Sequence, residues 1–272
     1  MTVSLMRRAA LLCVTAALLA LQLAGCSSPP VDESANATAE RLYKDAREDM
    51  DSGSYDRALK TLERVESLAS GSVLGQQALL EIAYINWRTG ERQAGLTAIE
   101  RFIKLNPSSP ALDYALYLRG VLNFSDNLGL MGAWFGQDLS ERDQKAARES
   151  YQAFKQLADQ FPNSRYTPDA KQRMNFIVNS LANYEVHVAR YYLRRGAYVA
   201  AANRAQAAVA EFQQTPAVEE ALFILVQSYD KLDLPKLRED AERVLRQNFP
   251  SSAYLGGAGI GQRDKTWWKF WQ

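Results

Sequence analysis

The fold of this chain is decided by the stretch GSYDRALKTLERV at residues 53–65, because its spacing recurs twice further along. GERQAGLTAIERF at residues 90–102 and GAYVAAANRAQAA at residues 196–208 place a glycine, a small residue and two apolar residues at the same intervals. Apolar positions three and four residues apart predict one face of an α-helix. The glycine that opens each stretch predicts a tight turn before that helix.

Two further segments continue the series: one at Ser150, Phe154 and Leu157, and a looser one beginning at Leu237. The small positions then align as Ala58, Gly95, Ser150, Ala201 and Leu237, with separations of 37, 55, 51 and 36 residues. Tetratricopeptide repeats are helix pairs of about 34 residues. We therefore predict an all-α tetratricopeptide-repeat solenoid of about five helix pairs over residues 39–250. The small residue would let the second helix of a pair approach the first.

The two long separations predict extra chain within the array. Residues 124–142, FSDNLGLMGAWFGQDLSER, contain three glycines beside Met131, Trp134 and Phe135, and would split the two helices of the third repeat. A long apolar insertion in a compact domain is often functional. The alternative is that it packs back onto the solenoid. The second extra piece is predicted as a helix near Pro168 to Ala182.

The N-terminus has the pattern of a secretory signal peptide. Arg7 and Arg8 precede an apolar run that ends at Leu23-Ala24-Gly25-Cys26, which resembles a bacterial lipobox. We expect residues 1–25 to be removed and Cys26 to carry palmitate and related acyl chains, since more than one chain is needed for stable anchoring. An ordinary signal peptide with a chance cysteine is the alternative. Ser27 favours the outer membrane, and the polar residues 26–38 read as an acylated tether.

Composition argues for a binding protein and against an enzyme. The chain has 32 basic and 31 acidic residues, and removal of Arg7 and Arg8 brings the balance to about −1, which disfavours a nucleic-acid partner. Cys13 leaves with the signal peptide and Cys26 is acylated, so neither serves as a catalytic thiol. The one histidine, His187, stands between two valines. We expect it to be structural, and we expect no catalytic residue, no metal site and no cofactor.

Several runs resemble the BamD family, the lipoproteins of the outer-membrane β-barrel assembly machinery. They are AIERFIKLNP at 98–107, DYALYLRG at 113–120, FPNSRY at 161–166 and YYLRRGAYVA at 191–200, followed by Asn203-Arg204. The resemblance runs from Cys26 to about Pro250. It implies five tetratricopeptide repeats, a periplasmic position on the outer membrane, binding to the POTRA region of BamA and to other assembly lipoproteins, and recognition of unfolded outer-membrane proteins.

The concave face of such an array is lined by the first helix of each pair. Counting back from the repeat register gives eight inward positions: Tyr43, Arg47, Tyr84, Trp87, Arg88, Tyr117, Val121 and Phe124. Aromatic rings there could bind the terminal aromatic side chain of an extended peptide, and an arginine could bind its carboxylate. The alternative is that some of these aromatic residues belong to the core between helices.

The resemblance also implies a contact with BamA in the fourth repeat, through Tyr198 and Arg204. A charge-assisted contact of Arg204 would contribute about 1.5–3 kcal/mol to binding. The alternative is that Arg204 forms a pair with nearby carboxylates of its own helix.

The C-terminal segment, residues 251–272, departs from the shorter family members. Gly256, Gly257, Gly259 and Gly261 precede a cluster of Trp267, Trp268, Phe270 and Trp271. The cluster suits a membrane interface, a partner's groove or the last repeat itself. For the whole protein, barrel assembly is the favoured function, and an envelope scaffold that organises peptidoglycan enzymes is the alternative.

Overall fold

The computed structural model describes residues 33–124 and 144–256, in which the chain forms ten α-helices and no strand. In chain order the helices are α1 Glu33–Asp51, α2 Tyr55–Leu68, α3 Val73–Thr89, α4 Arg92–Leu105, α5 Leu112–Asn123, α6 Gln144–Gln160, α7 Thr167–Arg194, α8 Tyr198–Glu211, α9 Ala217–Lys231 and α10 Pro235–Asn248. A turn of 3-10 helix follows at Ala253–Gly256. The prediction of an all-α array of five helix pairs is confirmed.

The described residues divide into two compact parts, one of residues 33–75 and one of residues 76–124 and 144–256. In the first part α1 packs on α2 across a turn at Gly53, whose φ of +75° favours glycine. Their shared core contains only small and aliphatic side chains, namely Ala39, Leu42, Ala46, Ala58, Leu62 and Val65. These residues follow the helical spacing in the sequence, so the periodicity alone indicated the buried face.

The second part contains α3 to α10 and two clusters of buried side chains. The smaller cluster joins α3, α4 and α5 around Ile99 and Phe102. The larger one extends from α5 to α10 and includes Phe154, Leu157 and Ile224. Successive helices from α4 to α10 pack on one another, and α7 also contacts α9. Within this part, the first helix of each later pair therefore covers apolar surface left by the pair before it.

The small residue of the repeat is required by packing. A Cβ atom at Gly95 would lie 2.6 Å from Leu122 Cδ2 and 3.3 Å from Asn86 Cβ. The matching Ser150 is fully buried and donates a hydrogen bond of 2.8 Å from Oγ to the carbonyl oxygen of Gly120. At both positions the small residue of the second helix lies against the first helix of its own pair, as predicted.

The alignment of Leu237 with these small residues was wrong by one position. Asp233, with a φ of +53°, occupies the place of the turn glycine, so the fifth repeat has Arg238 at the small position. Arg238 makes an ion pair of 4.0 Å with Asp230, and Leu237 is 45% exposed. A long polar side chain fits there because no further full helix packs on α10 within residues 33–124 and 144–256.

Three predicted boundaries also need correction. The tether was placed at residues 26–38, but α1 begins at Glu33, in a segment where three alanines favour a helix. The extra helix near Pro168 to Ala182 is the first half of the 28-residue α7, which has no proline or glycine to interrupt it after its first turn. The repeat domain was ended at residue 250, but Tyr254 is only 9% exposed and packs on α9.

Candidate protein-binding surface

In the first part of the chain, α1 carries the predicted pair Tyr43 and Arg47. The two residues lie one helical turn apart, with Tyr43 half-buried and Arg47 exposed. Leu42 and Ala46 next to them point into the core. Both Tyr43 and Arg47 interact within the folded chain. That they line a groove stays a prediction.

On α3 the structure brings the three predicted residues together. The rings of Tyr84 and Trp87 lie 5.7 Å apart at an angle of 50°. The Arg88 guanidinium stands 6.0 Å from the centre of the Trp87 ring. Trp87 is half-buried and touches both apolar clusters, whereas Arg88 is exposed. An aromatic side chain could stack on this surface while its carboxylate pairs with Arg88.

On α5 the predicted positions separate into core and edge. Val121 is 3% exposed and belongs to the larger apolar cluster, so the prediction that it faces the groove is wrong. Phe124 is half-buried at the end of α5, with its ring 5.8 Å from Phe176 and 4.9 Å from the Arg173 guanidinium. Tyr117 stacks on Tyr166 at 4.9 Å. The aromatic side chains of α5 thus contact residues at the start of α7.

The tyrosines of this cluster have perturbed acidities. Burial, together with a hydrogen bond of 2.8 Å that the Tyr117 hydroxyl donates to the Asp169 carboxylate, raises the pKa of Tyr117 to about 12. Burial also raises the pKa of Tyr114 to about 12, together with repulsion from neighbouring tyrosines and from Glu81. Both phenols are therefore neutral hydrogen-bond donors at physiological pH.

Tyr166 and Arg165 were quoted in the sequence only as part of a family run, yet they extend the aromatic surface. The Arg165 guanidinium lies 4.7 Å above the Tyr166 ring and is itself exposed. Tyr166 lies 5.3 Å from Tyr114 and 4.9 Å from Tyr117. The sequence did not predict that these two residues would lie beside the tyrosines of α5. The spacing of residues predicts which of them share a face of one helix, but it does not predict contacts between different helices.

The corner between α7 and α8 carries the predicted BamA residues. Tyr198 is half-buried against the larger apolar cluster, and Arg204 is 47% exposed. An Arg204 guanidinium nitrogen lies 3.2 Å from the carboxylate of Glu185, which is only 8% exposed. The alternative of a pair within its own helix is wrong, because Arg204 lies on α8 and Glu185 on α7. Tyr191 and Val199, on the two sides of the turn, are 49% and 60% exposed.

A second buried ion pair holds α7 against α9. Arg190 donates from Nε and from Nη2 to the two oxygens of Glu220, at 2.6 and 2.9 Å. The Glu220 side chain is 5% exposed. Sequence analysis missed this pair because thirty residues separate its members.

Neither segment, 33–124 or 144–256, contains a group of three metal-binding side chains. None of the helices in those segments is both long enough and apolar enough to cross a membrane. The predictions for Cys26, for the signal peptide, for the insertion at 124–142 beyond Phe124, and for the tryptophans after Gly256 lie outside the described residues.

The comparisons with known proteins agree with this architecture. Residues 35–245 match the model of the YfiO family, described as outer membrane lipoprotein. The chain belongs to this family. It is 44% identical over 258 residues to a protein of Neisseria meningitidis serogroup B called outer membrane protein assembly factor BamD, covering 93% of this chain and 96% of that one. A Vibrio cholerae protein of the same name is 33% identical over 232 residues, 85% and 96% of the two chains. The resemblance to the BamD family is confirmed.

Proposed function

We propose that this protein is a lipid-anchored scaffold on the periplasmic face of the outer membrane that assists the assembly of β-barrel proteins. In this proposal acyl chains on Cys26 hold it at the membrane, and the repeat domain binds BamA and unfolded outer-membrane proteins. The names of the relatives, outer membrane protein assembly factors, support a role in the assembly of outer-membrane proteins. The aromatic and arginine side chains on α3 support the binding of an unfolded chain.

The single observation that carries substrate binding is the arrangement of Tyr84, Trp87 and Arg88. An exposed guanidinium beside a half-buried indole offers both halves of a site for a peptide that ends in an aromatic residue. Trp87 contacts two core clusters, so its replacement would also disturb packing. Arg88 is exposed and gives the cleaner test.

The test is the binding of a fluorescent peptide that ends in phenylalanine, measured by anisotropy. Arg88→Gln should weaken binding of the peptide with a free carboxylate by about tenfold or more, because a charge-assisted hydrogen bond contributes about 1.5–3 kcal/mol. The same peptide with a C-terminal amide should bind both proteins equally. Lys104→Gln, which removes an equal charge from an exposed position on α4, is the matched control. Equal loss for both peptides would rule out carboxylate recognition by Arg88.

For BamA, we propose the exposed corner of Tyr191, Val199 and Arg204. The pair with Glu185 means that Arg204→Glu would place two carboxylates together and destabilise the domain. Val199→Asp changes the exposed surface without touching a buried charge. It should abolish capture of BamA while leaving helicity unchanged. Leu105→Asp, at another exposed leucine, should retain capture. If the Val199→Asp protein still captures BamA as fully as the original protein, this corner is not the contact with BamA.

The function as a whole is tested by affinity purification of the tagged full chain from outer membranes. Recovery of BamA and of further assembly lipoproteins is expected. Recovery of peptidoglycan-modifying enzymes without BamA would favour the alternative, an envelope scaffold for cell-wall synthesis. An enzymatic function is a third possibility, and it would require the protein to convert a substrate, which the proposed scaffold role does not.

A further inference from the structure

A row of half-buried aromatic side chains crosses the second part of the chain from α3 to the start of α7. It begins with Trp87 and Tyr84 on α3, whose rings lie 5.7 Å apart. Tyr84 and Tyr114 of α5 pack on the same apolar cluster. The Tyr114 ring in turn lies 5.3 Å from the ring of Tyr166, which immediately precedes α7. These four residues, here called the aromatic row, therefore run across the helices and not along one of them.

The aromatic row has an exposed arginine at each end, Arg88 on α3 and Arg165 before α7. The Arg165 guanidinium lies 4.7 Å from the centre of the Tyr166 ring and donates a hydrogen bond to the Tyr166 hydroxyl. No carboxylate of residues 33–124 or 144–256 lies within ion-pair distance of it. A guanidinium that covers one ring in this way can stack with a second ring on its exposed side.

Other contacts hold the start of α7 against α5, so Arg165 is not required for that packing. The Ser164 hydroxyl donates to the Asp113 carboxylate at 2.7 Å. The Tyr117 hydroxyl donates to the Asp169 carboxylate at 2.8 Å. Arg165 itself contacts only the residue that follows it in the sequence. Its exposed, unneutralised charge is thus available to a ligand.

We propose that Arg165 and Tyr166 form a second subsite for an unfolded chain, which binds an aromatic side chain six residues before the C-terminal residue of that chain. This inference rests on the proposed function, in which the terminal carboxylate pairs with Arg88. The bound peptide lies extended along the aromatic row, with its C-terminus at α3 and its earlier residues at α7. Two subsites fix the direction of the peptide and select its sequence, whereas one subsite recognises only its end.

The separation of six residues follows from the spacing of the helices. Neighbouring packed helices have axes about 10 Å apart, so the two steps from α3 through α5 to α7 cover about 20 Å. An extended chain rises about 3.3 Å per residue, and six residues cover the same distance. Six is an even number, so both side chains lie on the same face of the extended peptide. Strands of outer-membrane barrels have this alternation, with apolar and aromatic side chains at every second position.

The proposal is tested with three fluorescent peptides that end in phenylalanine with a free carboxylate, and binding is measured by anisotropy. The first carries a tyrosine six residues before the phenylalanine. The second has the same composition with the tyrosine moved to five residues before it, on the other face of an extended chain. The third has serine in place of the tyrosine. The proteins are the full chain, its Arg165→Gln variant, and Lys171→Gln as a matched control at an exposed charge on α7.

The full chain should bind the first peptide about fivefold more tightly than the second or the third. Arg165→Gln should remove this preference without changing the circular dichroism spectrum, since the side chain is exposed, and Lys171→Gln should retain it. Equal affinities of the full chain for the first two peptides would overturn the proposal. A preference that survives in Arg165→Gln would overturn it as well.

The third peptide separates this proposal from the one on which it rests. If the serine peptide binds and a C-terminal amide weakens its binding, recognition of the carboxylate stands. Lack of preference for the first peptide would then reject the second subsite alone. If none of the three peptides binds the full chain, both the terminal site and the second subsite are wrong.

Discussion

Removal of one side of the buried ion pair between α7 and α9 should destabilise the second part of the chain. Arg190 binds both oxygens of Glu220, and the carboxylate is 5% exposed. Arg190→Ala would leave this charge buried without its partner. The pair joins α7 and α9, the first helices of the fourth and fifth repeats. Its loss should therefore weaken the packing of these two helices on each other.

The magnitude follows from the burial of the two groups. Breaking a buried ion pair from one side costs about 3–5 kcal/mol. Two features favour the lower end: the Arg190 side chain is 26% exposed, and Glu220 lies in the first turn of α9, where the helix dipole stabilises a negative charge. A loss of about 3 kcal/mol lowers the melting temperature of a domain of this size by about 6–12 °C. The double variant Arg190→Met, Glu220→Leu should be close to the original protein, because it removes both charges.

The assay is thermal unfolding followed by circular dichroism, with urea unfolding as a second measure. The matched control is Arg243→Ala, which breaks an ion pair of 2.5 Å between two largely exposed side chains on α10. That control should change the free energy of unfolding by less than about 1 kcal/mol. The reasoning fails if Arg190→Ala is no more destabilising than Arg243→Ala. It also fails if the double variant is as unstable as the single one, since the cost would then come from lost packing.

Three further predictions concern the anchor, the chain end and pH. Cys26→Ser should leave the precursor unacylated and uncut, and a normal mature mass and membrane fractionation would contradict the lipobox. A chain ending after Pro250 should be less stable to urea by about 2 kcal/mol than one ending after Gly256, because it loses the buried, stacked ring of Tyr254; equal midpoints would show that this ring does not stabilise the fold. Folding raises the pKa of Tyr117 from 10.0 to about 12, so the unfolded chain loses the proton first, and stability present below pH 10 should fall between pH 10 and 12. Tyr117→Phe should reduce that fall in urea titrations, and an unchanged pH profile would contradict the assignment.

The sequence allowed the helices to be predicted because each helix depends on neighbours within a few residues. Small residues at Ala58, Gly95 and Ala201 indicated which face of a second helix is close-packed, and all three are buried. The same reasoning failed at Leu237, since the fifth repeat begins with Asp233 in place of glycine. A positive φ at an aspartate is uncommon and leaves no clear mark in a single sequence.

The candidate surface was predictable in part. Tyr84, Trp87 and Arg88 lie on one helix, so their register placed them together before the structure did. Val121 was placed on the same face of α5 by the repeat register and is nevertheless core, because α5 packs against both α4 and α6. Register fixes the side of a helix on which a residue lies, but it does not determine whether another helix covers that side.

By itself, the sequence determined an all-α array of five helix pairs, a glycine at three of the turns and a small residue at most of the close contacts. These features follow from the spacing of apolar residues and from backbone sterics, both of which act over short distances along the chain. Only the tertiary structure decided that Arg204 pairs with Glu185, that Arg190 pairs with Glu220, and that Tyr254 stacks on Phe223 of α9. Those contacts join residues from different helices, and which helices meet is fixed by the burial of apolar surface over the whole domain.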